Sequence, residues 1–253
     1  MDETRLKDLL SRVRDGRLEL SEAVAELRHL PFADLGFAMV DHHRAIRQGV
    51  PEVILGEGKT SEQVVAISRE LARTGQNVLV TRVNEAQAAA LSAAMPDVRY
   101  HALARTCSLE QAEIVPITDQ KVALVSAGTS DMPVVEECAE TMRMFGIPFE
   151  RVCDVGVAGI HRLLHKRPLL ESAAVVIAVA GMEAALASVV GGLVDAPIIA
   201  VPTSIGYGAA QQGMTALCGM LTSCASGITV VNIDNGFGAA FAAARILRAR
   251  KRA

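Results

Sequence analysis

Lys121–Asp131 reads KVALVSAGTSD. The apolar run from Val122 to Val125 has no polar alternation, so it predicts a strand buried on both faces, the kind that lies inside a parallel sheet. A turn of small residues follows, and Met132–Phe145 has helical spacing. Asp131 stands where an N-cap is expected, and Pro133 falls in the first helical turn. Strand, small-residue turn and helix make half of a βαβ unit. Toward the C-terminus the pattern repeats. Strands are expected at Phe149–Asp154, Ala173–Ala180, Pro197–Val201 and Gly227–Val231. Helices are expected from His161–His165, over Glu183–Leu193 and Gln211–Leu221, and finally over Phe237–Arg250. The expectation is an α/β fold with a parallel sheet covered on both faces.

Toward the N-terminus the signal is weaker. Amphipathic helices are expected over Glu3–Val13, ended by Gly16, and over Glu22–Leu30, with Ser21 as cap and Pro31 beyond. Residues 31–51 show no clear period and hold Asp41-His42-His43-Arg44. Strands are then expected at Glu52–Leu55, Asn77–Arg82 and Asp97–Leu103, with helices over Ser61–Arg73 and Glu85–Ala94. We divide the chain into a helical and small α/β domain, 1–118, and a second α/β domain, 119–253.

The 253-residue composition narrows the function. With 51% hydrophobic and 21% charged residues, the chain can bury a sizeable core. Aromatics are 3% with no Trp, and the formal charge is −3, which argues against a nucleic-acid partner. The basic end from Arg245 to Arg252 reads as a solvated helix end. Five cysteines, an odd number without a CxxC, suit a reducing cytoplasm. The opening MDETRLKDLL has no signal-peptide pattern. The apolar stretch Ala173–Val194 is broken by Glu183 and by glycines, so no membrane partner is expected.

In an open parallel sheet, ligands bind beyond the carboxyl ends of the strands. That rule selects four loops: Ala127–Asp131, Gly156–His161, Gly181-Met182-Glu183 and Pro202–Gly208, the last with Thr203 and Ser204. Gly128, Ser130 and Asp131 precede a helix and suit a phosphate or carboxylate; the alternative is that Asp131 merely caps the helix, and both hold together if Ser130 contacts the ligand while Asp131 caps. His161 at a helix start suits a base or donor, or is a packed His, and Arg162 beside it suits an anion. Glu183 is either a buried acid/base or an exposed first-turn carboxylate. Cys224, in TSCASG, is a thiolate candidate or a structural Cys. A loop entering a parallel strand lies at the opposite edge from the four loops. Cys224 therefore joins their site only if its strand runs differently or a second subunit supplies it. Asp234 and Asn235 suit a hydroxyl or a metal, or plain turn chemistry. Arg44 and Lys59, the latter in GEGKT, suit anionic substrate groups. No tetrahedral metal spacing is present, and the metal ligands are left unassigned.

These stretches carry a resemblance. FADLGFAMVDHHRAIRQGVPEVILGEGKT, SAGTSDMPVVEE, DVGVAGIHRLL, VVIAVAGMEAAL, AVPTSIGYG and SCASGITVVNIDNGFGA, in this order, resemble the LarB family, the pyridinium-3,5-biscarboxylic acid mononucleotide synthases of nickel-pincer cofactor biosynthesis. GTSDMP resembles the GSxSD motif of PurE, the aminoimidazole ribonucleotide carboxylase/mutase. GIHRLL stands where PurE has its SAHR histidine. The resemblance implies a PurE-like three-layer catalytic domain behind a smaller N-terminal α/β domain. It implies carboxylation of nicotinic acid adenine dinucleotide at ring carbon 5 with carbon dioxide or bicarbonate, and phosphoanhydride hydrolysis releasing AMP, with Mg²⁺ as the expected cofactor. It gives the nucleophile's role to Cys224 and places Glu183 at proton transfer. Ser130 and Asp131 would then hold ribose or phosphate, and His161 would lie near the substrate's carboxylate or phosphate. It also implies a homo-oligomer, an octamer as in PurE. Ala184 and Ala187 stand where the family usually has Gly and Pro, and Gln211-Gln212 make the segment after Tyr207-Gly208-Ala209 more polar than the family pattern. A PurE-type mutase and a non-catalytic nucleotide-binding module are the competing readings.

Overall fold

The computed structural model describes residues 3–27 and 32–252. Two units divide the chain: residues up to His101 with Arg105–Glu113, and Ala102–Ala104 with the chain from Ile114 onward.

The first unit opens with helices α1 (Glu3–Arg14) and α2 (Leu20–Leu27), which bury Leu9 and Ala23 in a small cluster of their own. The expected extension of the second helix to Leu30 lies outside the described residues. A hairpin, β1 (Phe32–Asp34) with β2 (Met39–Asp41), and the short helix α3 (Arg44–Gln48) fill the stretch that showed no period. Strand β3 (Val53–Leu55), helix α4 (Ser61–Arg73), strand β4 (Val78–Thr81) and helix α5 (Glu85–Ala94) follow. Both helices start at capping boxes, Thr60 with Gln63 and Asn84 with Gln87, which satisfy the first free amides of each helix. Strands β5 (Arg99–His101) and β6 (Thr106–Leu109) complete a sheet of order β3-β4-β6-β5, with β6 antiparallel to both neighbours.

Arg44 in this unit is held by its own neighbours. It donates to Asp41 at 3.4 Å and to Glu52 at 3.3 Å, while Arg47 reaches both oxygens of Asp41. Burial alone would raise Asp41, but Arg47, Arg44 and the His43 amide outweigh it and pull the carboxyl below its ordinary value. Arg73 lowers Glu70 in the same way against burial, with His42 adding to the pull. Near pH 4 the unfolded chain binds more protons than the folded one. The contribution of these pairs is therefore complete above their unfolded values, about 4, and is lost as pH falls through the lowered folded values. Acidification from pH 6 to 3 is expected to open amides of α4 and β2 to hydrogen exchange first. In Asp41→Asn with Glu70→Gln that pH dependence flattens; an unchanged profile in the double variant refutes the assignment.

The second unit holds β7 (Val122–Ser126), α6 (Met132–Met144), β8 (Phe149–Val152), α7 (Ile160–His165), α8 (Arg167–Glu171), β9 (Val175–Ala180), α9 (Ala185–Gly191), β10 (Ile198–Pro202), α10 (Met214–Leu221), β11 (Ile228–Val230) and α11 (Gly236–Arg252). All five strands are parallel, in the order β11-β10-β9-β7-β8. β7, β9 and β10 are buried along their whole length, which is why they read as continuous apolar runs. One face carries a core of Ala123, Val125, Val176, Ala178, Ala200 and their neighbours with Leu163, Leu186 and Ala216 from the helices. α6 and α11 lie together, and their rings Phe145, Phe237 and Phe241 meet edge to face or tilted at 5.8–6.4 Å. No helix among the described residues is long and apolar enough to cross a membrane.

Candidate active site

The strand order fixes where a ligand belongs. β7 is the first strand of this unit, and the chain leaves it to one side for β8 and returns on the other for β9. The connections therefore part in opposite directions beyond the carboxyl ends of β7 and β9, and a crevice opens there. A cleft of about 310 Å³ occupies that place. Gly128, Ser130 and Asp131 wall it after β7, Gly181, Met182 and Glu183 after β9, Gly156 after β8 and Ile205 after β10. Among the described residues, six of the eight non-glycine residues with positive φ lie in these carboxyl-edge loops: Asp154, Met182, Ala184, Gln211, Gln212 and Asp234. Backbone strain concentrates at the edge where the cleft lies. Ala184, at φ +58, occupies the position where the resemblance placed a glycine.

Asp131 ties the loops together. It is 3% exposed, and its Oδ2 accepts from the Gly128 amide at 2.9 Å while its Oδ1 accepts from the Thr203 hydroxyl at 2.7 Å. The Gly181 amide also bonds it. One carboxylate therefore joins the loops after β7, β9 and β10. Burial raises its pKa, the three donors oppose the rise, and the charge of Asp234 adds to it. The expected role of Asp131 as cap of α6 is not what forms. Its backbone is already helical, its side chain makes no cap bond to α6, and it reaches back three residues instead. Thr203 is likewise wholly buried against Asp131 rather than open to a ligand. Beyond it, Ser204 donates its amide to Asp234 Oδ1 at 2.8 Å, which fastens the loop after β11 to the loop after β10.

Gly181 lets these loops close up. A Cβ there would stand 2.4 Å from the Ile205 carbonyl oxygen and 2.7 Å from the Thr203 hydroxyl. The backbone has no room to yield, because the Met182 amide donates to that same Ile205 carbonyl at 2.9 Å. Gly181→Ala is therefore expected to cost about 1–3 kcal/mol and to lower turnover by displacing Thr203 from Asp131. Calorimetry with steady-state kinetics checks it, and an unchanged melting temperature contradicts the packing described.

Glu183 is exposed and precedes α9 instead of standing inside it, so the buried reading of this carboxyl falls and the exposed one holds. Its backbone is held from behind. Gly219 of α10 would put a Cβ 2.7 Å from the Glu183 carbonyl, so only glycine lets α10 pass there. The carboxyl is thus presented at the rim of the cleft from a fixed backbone. Ser130 is exposed on the opposite wall, beside the N-terminus of α6.

Other expected site residues are not among those that wall this cleft. His161 is exposed on the short helix α7 and does not wall the cleft. Arg162 donates to Asp154 at 2.6 Å. Arg44 and Lys59 belong to the first unit. Cys224 is exposed in the loop that enters β11. β11 is parallel to β10, so that loop lies at the edge opposite the cleft, as the sequence warned. Ala225 next to it packs on Gly191, the last residue of α9, and Glu183 precedes the first. The seven residues of α9 alone separate the two by roughly 10 Å. Among the described residues no three His, Cys, Asp or Glu side chains gather as a metal site. Both oxygens of Asp131 are already occupied by protein donors.

Comparison with known proteins agrees with this architecture. The family described as the LarB/PurE-like N-terminal domain matches residues 32–111, and the family described as AIR carboxylase matches residues 121–253. An uncharacterized protein of Methanocaldococcus jannaschii is 36% identical over 242 residues, covering 92% of this chain and 93% of its own. The N5-carboxyaminoimidazole ribonucleotide mutase of Pyrococcus horikoshii is 32% identical over 134 residues, 50% of this chain and 71% of its own. A solved PurE2 variant of Treponema denticola, 18% identical, covers 53% of this chain and 94% of its own with a TM-score of 0.40. An N-terminal domain of LarB type is followed without rearrangement by a PurE-like domain whose crevice lies where the strand order places it, and the chain belongs to the LarB family of PurE-like carboxylases.

Proposed function

We propose that this protein carboxylates the pyridinium ring of nicotinic acid adenine dinucleotide at carbon 5 and hydrolyses the phosphoanhydride, giving pyridinium-3,5-biscarboxylic acid mononucleotide and AMP. The observation that carries the reading is the crevice after β7 and β9, with a carboxylate, Glu183, on one wall and the Ser130 turn at the N-terminus of α6 on the other. A 13-residue helix N-terminus suits phosphate, and a carboxylate at the rim suits proton removal from a bound ring.

A pyridinium is electron-poor and does not attack carbon dioxide. The Cys224 thiolate adds to the ring and turns it into an enamine-like adduct. Carbon 5 then attacks carbon dioxide through the new electron pair. Glu183 removes the proton at carbon 5, and expulsion of the thiolate restores the aromatic ring. Gly128 and Ser130 face the phosphates, with Asp131 and Thr203 holding the loops that carry them. Because Cys224 and Glu183 lie at opposite edges of one sheet, the thiol acting on a given ring comes from a second copy of the chain. Water cleaves the phosphoanhydride.

The test incubates the purified protein with nicotinic acid adenine dinucleotide, bicarbonate and Mg²⁺ and follows products by mass spectrometry. A dicarboxylated mononucleotide with AMP is expected. Unchanged dinucleotide alongside measurable binding would favour the binding-module reading. Turnover of aminoimidazole ribonucleotide instead would favour the mutase reading, which the 32% identical Pyrococcus horikoshii relative supports for the second unit only.

A further inference from the structure

The loop after β10 carries an aromatic ring that the fold leaves free. Tyr207 is 82% exposed, more than any other large hydrophobic side chain among the described residues. The other four rings of this unit are engaged. Phe145, Phe237 and Phe241 pack on one another, and the guanidinium of Arg151 lies over Phe149 at 5.1 Å. Tyr207 follows two residues after Ile205, which walls the cleft, and Ile205 is itself stitched to Met182 by a main-chain bond of 2.9 Å. Met182 and Ile205, 41% and 37% exposed, form an apolar margin on the Glu183 side of the cleft, and Tyr207 stands two positions beyond Ile205 in the same loop. Glycines flank the ring. Gly206, at φ +151, runs so close to Ala210 that a Cβ would stand 2.4 Å from it, and Gly208, at φ +55, has open space around it. The backbone is therefore fixed on both sides of Tyr207, to the wall before it and, after it, by the Ala210 amide, which donates to the Tyr207 carbonyl at 3.1 Å.

We propose that Tyr207 is the ring-binding residue of this cleft: its aromatic face covers a pyridinium ring held against Met182 and Ile205, beside Glu183. This rests on the carboxylase reading. A cationic ring is attracted by the negative face of a phenol and gains more as water leaves. An adenine ring has no such charge. The assignment also explains why a phosphate-suited turn and an apolar margin lie on opposite walls, since a nucleotide's phosphate and its ring lie at opposite ends.

The test measures binding apart from turnover. Calorimetric dissociation constants for nicotinic acid mononucleotide, which has the pyridinium without adenine, and for AMP are compared in wild-type protein and in Tyr207→Ala, Tyr207→Leu and Tyr207→Phe. Loss of the ring is expected to weaken nicotinic acid mononucleotide binding by about ten- to thirtyfold, to leave AMP binding unchanged, and to raise KM far more than it lowers kcat. Leu does not rescue and Phe does. Equal affinity in Tyr207→Ala overturns the proposal, as does a loss confined to AMP. A change of subunit assembly in native mass spectrometry that accounts for the loss would make Tyr207 an interface residue and also overturn it. Ring binding that depends on Tyr207 in a protein that forms no carboxylated product counts against the carboxylase reading and not against the ring contact.

Discussion

Asp131→Asn is expected to lower kcat/KM for carboxylation by about a hundredfold while the protein stays folded. Two effects of opposite sign meet at this residue. Burial of the charge is unfavourable, as the raised pKa records, and the neutral amide removes that cost. Against this, Asp131 accepts from Gly128, Gly181 and Thr203, and an amide offers one acceptor oxygen and a donating nitrogen. At least one buried donor then faces another donor, a loss of about 1–3 kcal/mol. The net stability change is the smaller quantity, and the geometric change the larger, because the three bonds set the separation of the walls after β7, β9 and β10. Thr203→Val, which removes a single donor and keeps the volume, is expected to fall between wild type and Asp131→Asn. Because the folded value of Asp131 is raised, its protonated form is the one that favours folding. Its contribution to stability is present below the ordinary aspartate value and is lost as pH rises through the raised one. Activity moves the other way and rises with pH over the same interval, as three donors face a full carboxylate. Kinetics from pH 4 to 8 beside differential scanning calorimetry read both, and full activity in Asp131→Asn would remove Asp131 from the architecture of the site.

The same residue marks the limit of what the sequence discloses. Lys121–Asp131 announces its strand, and α4 and α5 begin and end at the residues their spacing implies, because apolar period and capping residues are local properties. The four carboxyl-edge loops follow from alternation alone, and three of them, with Ile205 from the fourth, wall the cleft. What is not legible depends on distant partners. Thr203 lies 72 positions from Asp131, so no window shows that this carboxylate faces inward. β6 was missed because Thr106–Leu109, TCSL, has weak strand preference and is held in place by antiparallel bonds to β4 and β5. The hairpin of β1 and β2 and the helix α8 are short and carry no period to read. Arg44 reads in the sequence as a cation for anionic groups; that it also pairs with Asp41 and Glu52 depends on the fold of its own unit and has no period to announce it. Tyr207 was within a selected loop, and the signal that would have singled it out is chemical: a large ring between two glycines in a chain with two tyrosines and no tryptophan.

A mixture of two inactive variants should recover activity. Cys224→Ala lacks the thiol and Glu183→Gln lacks the base, and each alone is expected to fall by at least about 10⁴-fold. If one chain supplied both groups to one cleft, no mixture of the two would contain an intact site. The topology argues otherwise. β11 is parallel to β10, so the loop carrying Cys224 enters the sheet at the edge where β9 and β10 begin, opposite the cleft, and α9 spans the distance between that loop and Glu183. No side-chain rotation covers roughly 10 Å, and moving the loop would pull Ala225 off Gly191 and break the 3.2 Å bond from its amide to Ser223. Ser223 is itself tied to Ser188 of α9 at 2.7 Å, so the segment is anchored where it lies. A second copy is the economical source of the thiol. Random co-assembly after joint refolding then gives about a quarter of the clefts a wild-type Cys224 from one chain and a wild-type Glu183 from the other. Recovered turnover near that fraction, absent when the variants are mixed without exchange of subunits, establishes a shared site. Persistent inactivity after demonstrated exchange would assign the nucleophile to a group within the same chain, and Cys153, exposed at the end of β8 on the cleft's own edge, is the thiol that would then be replaced next.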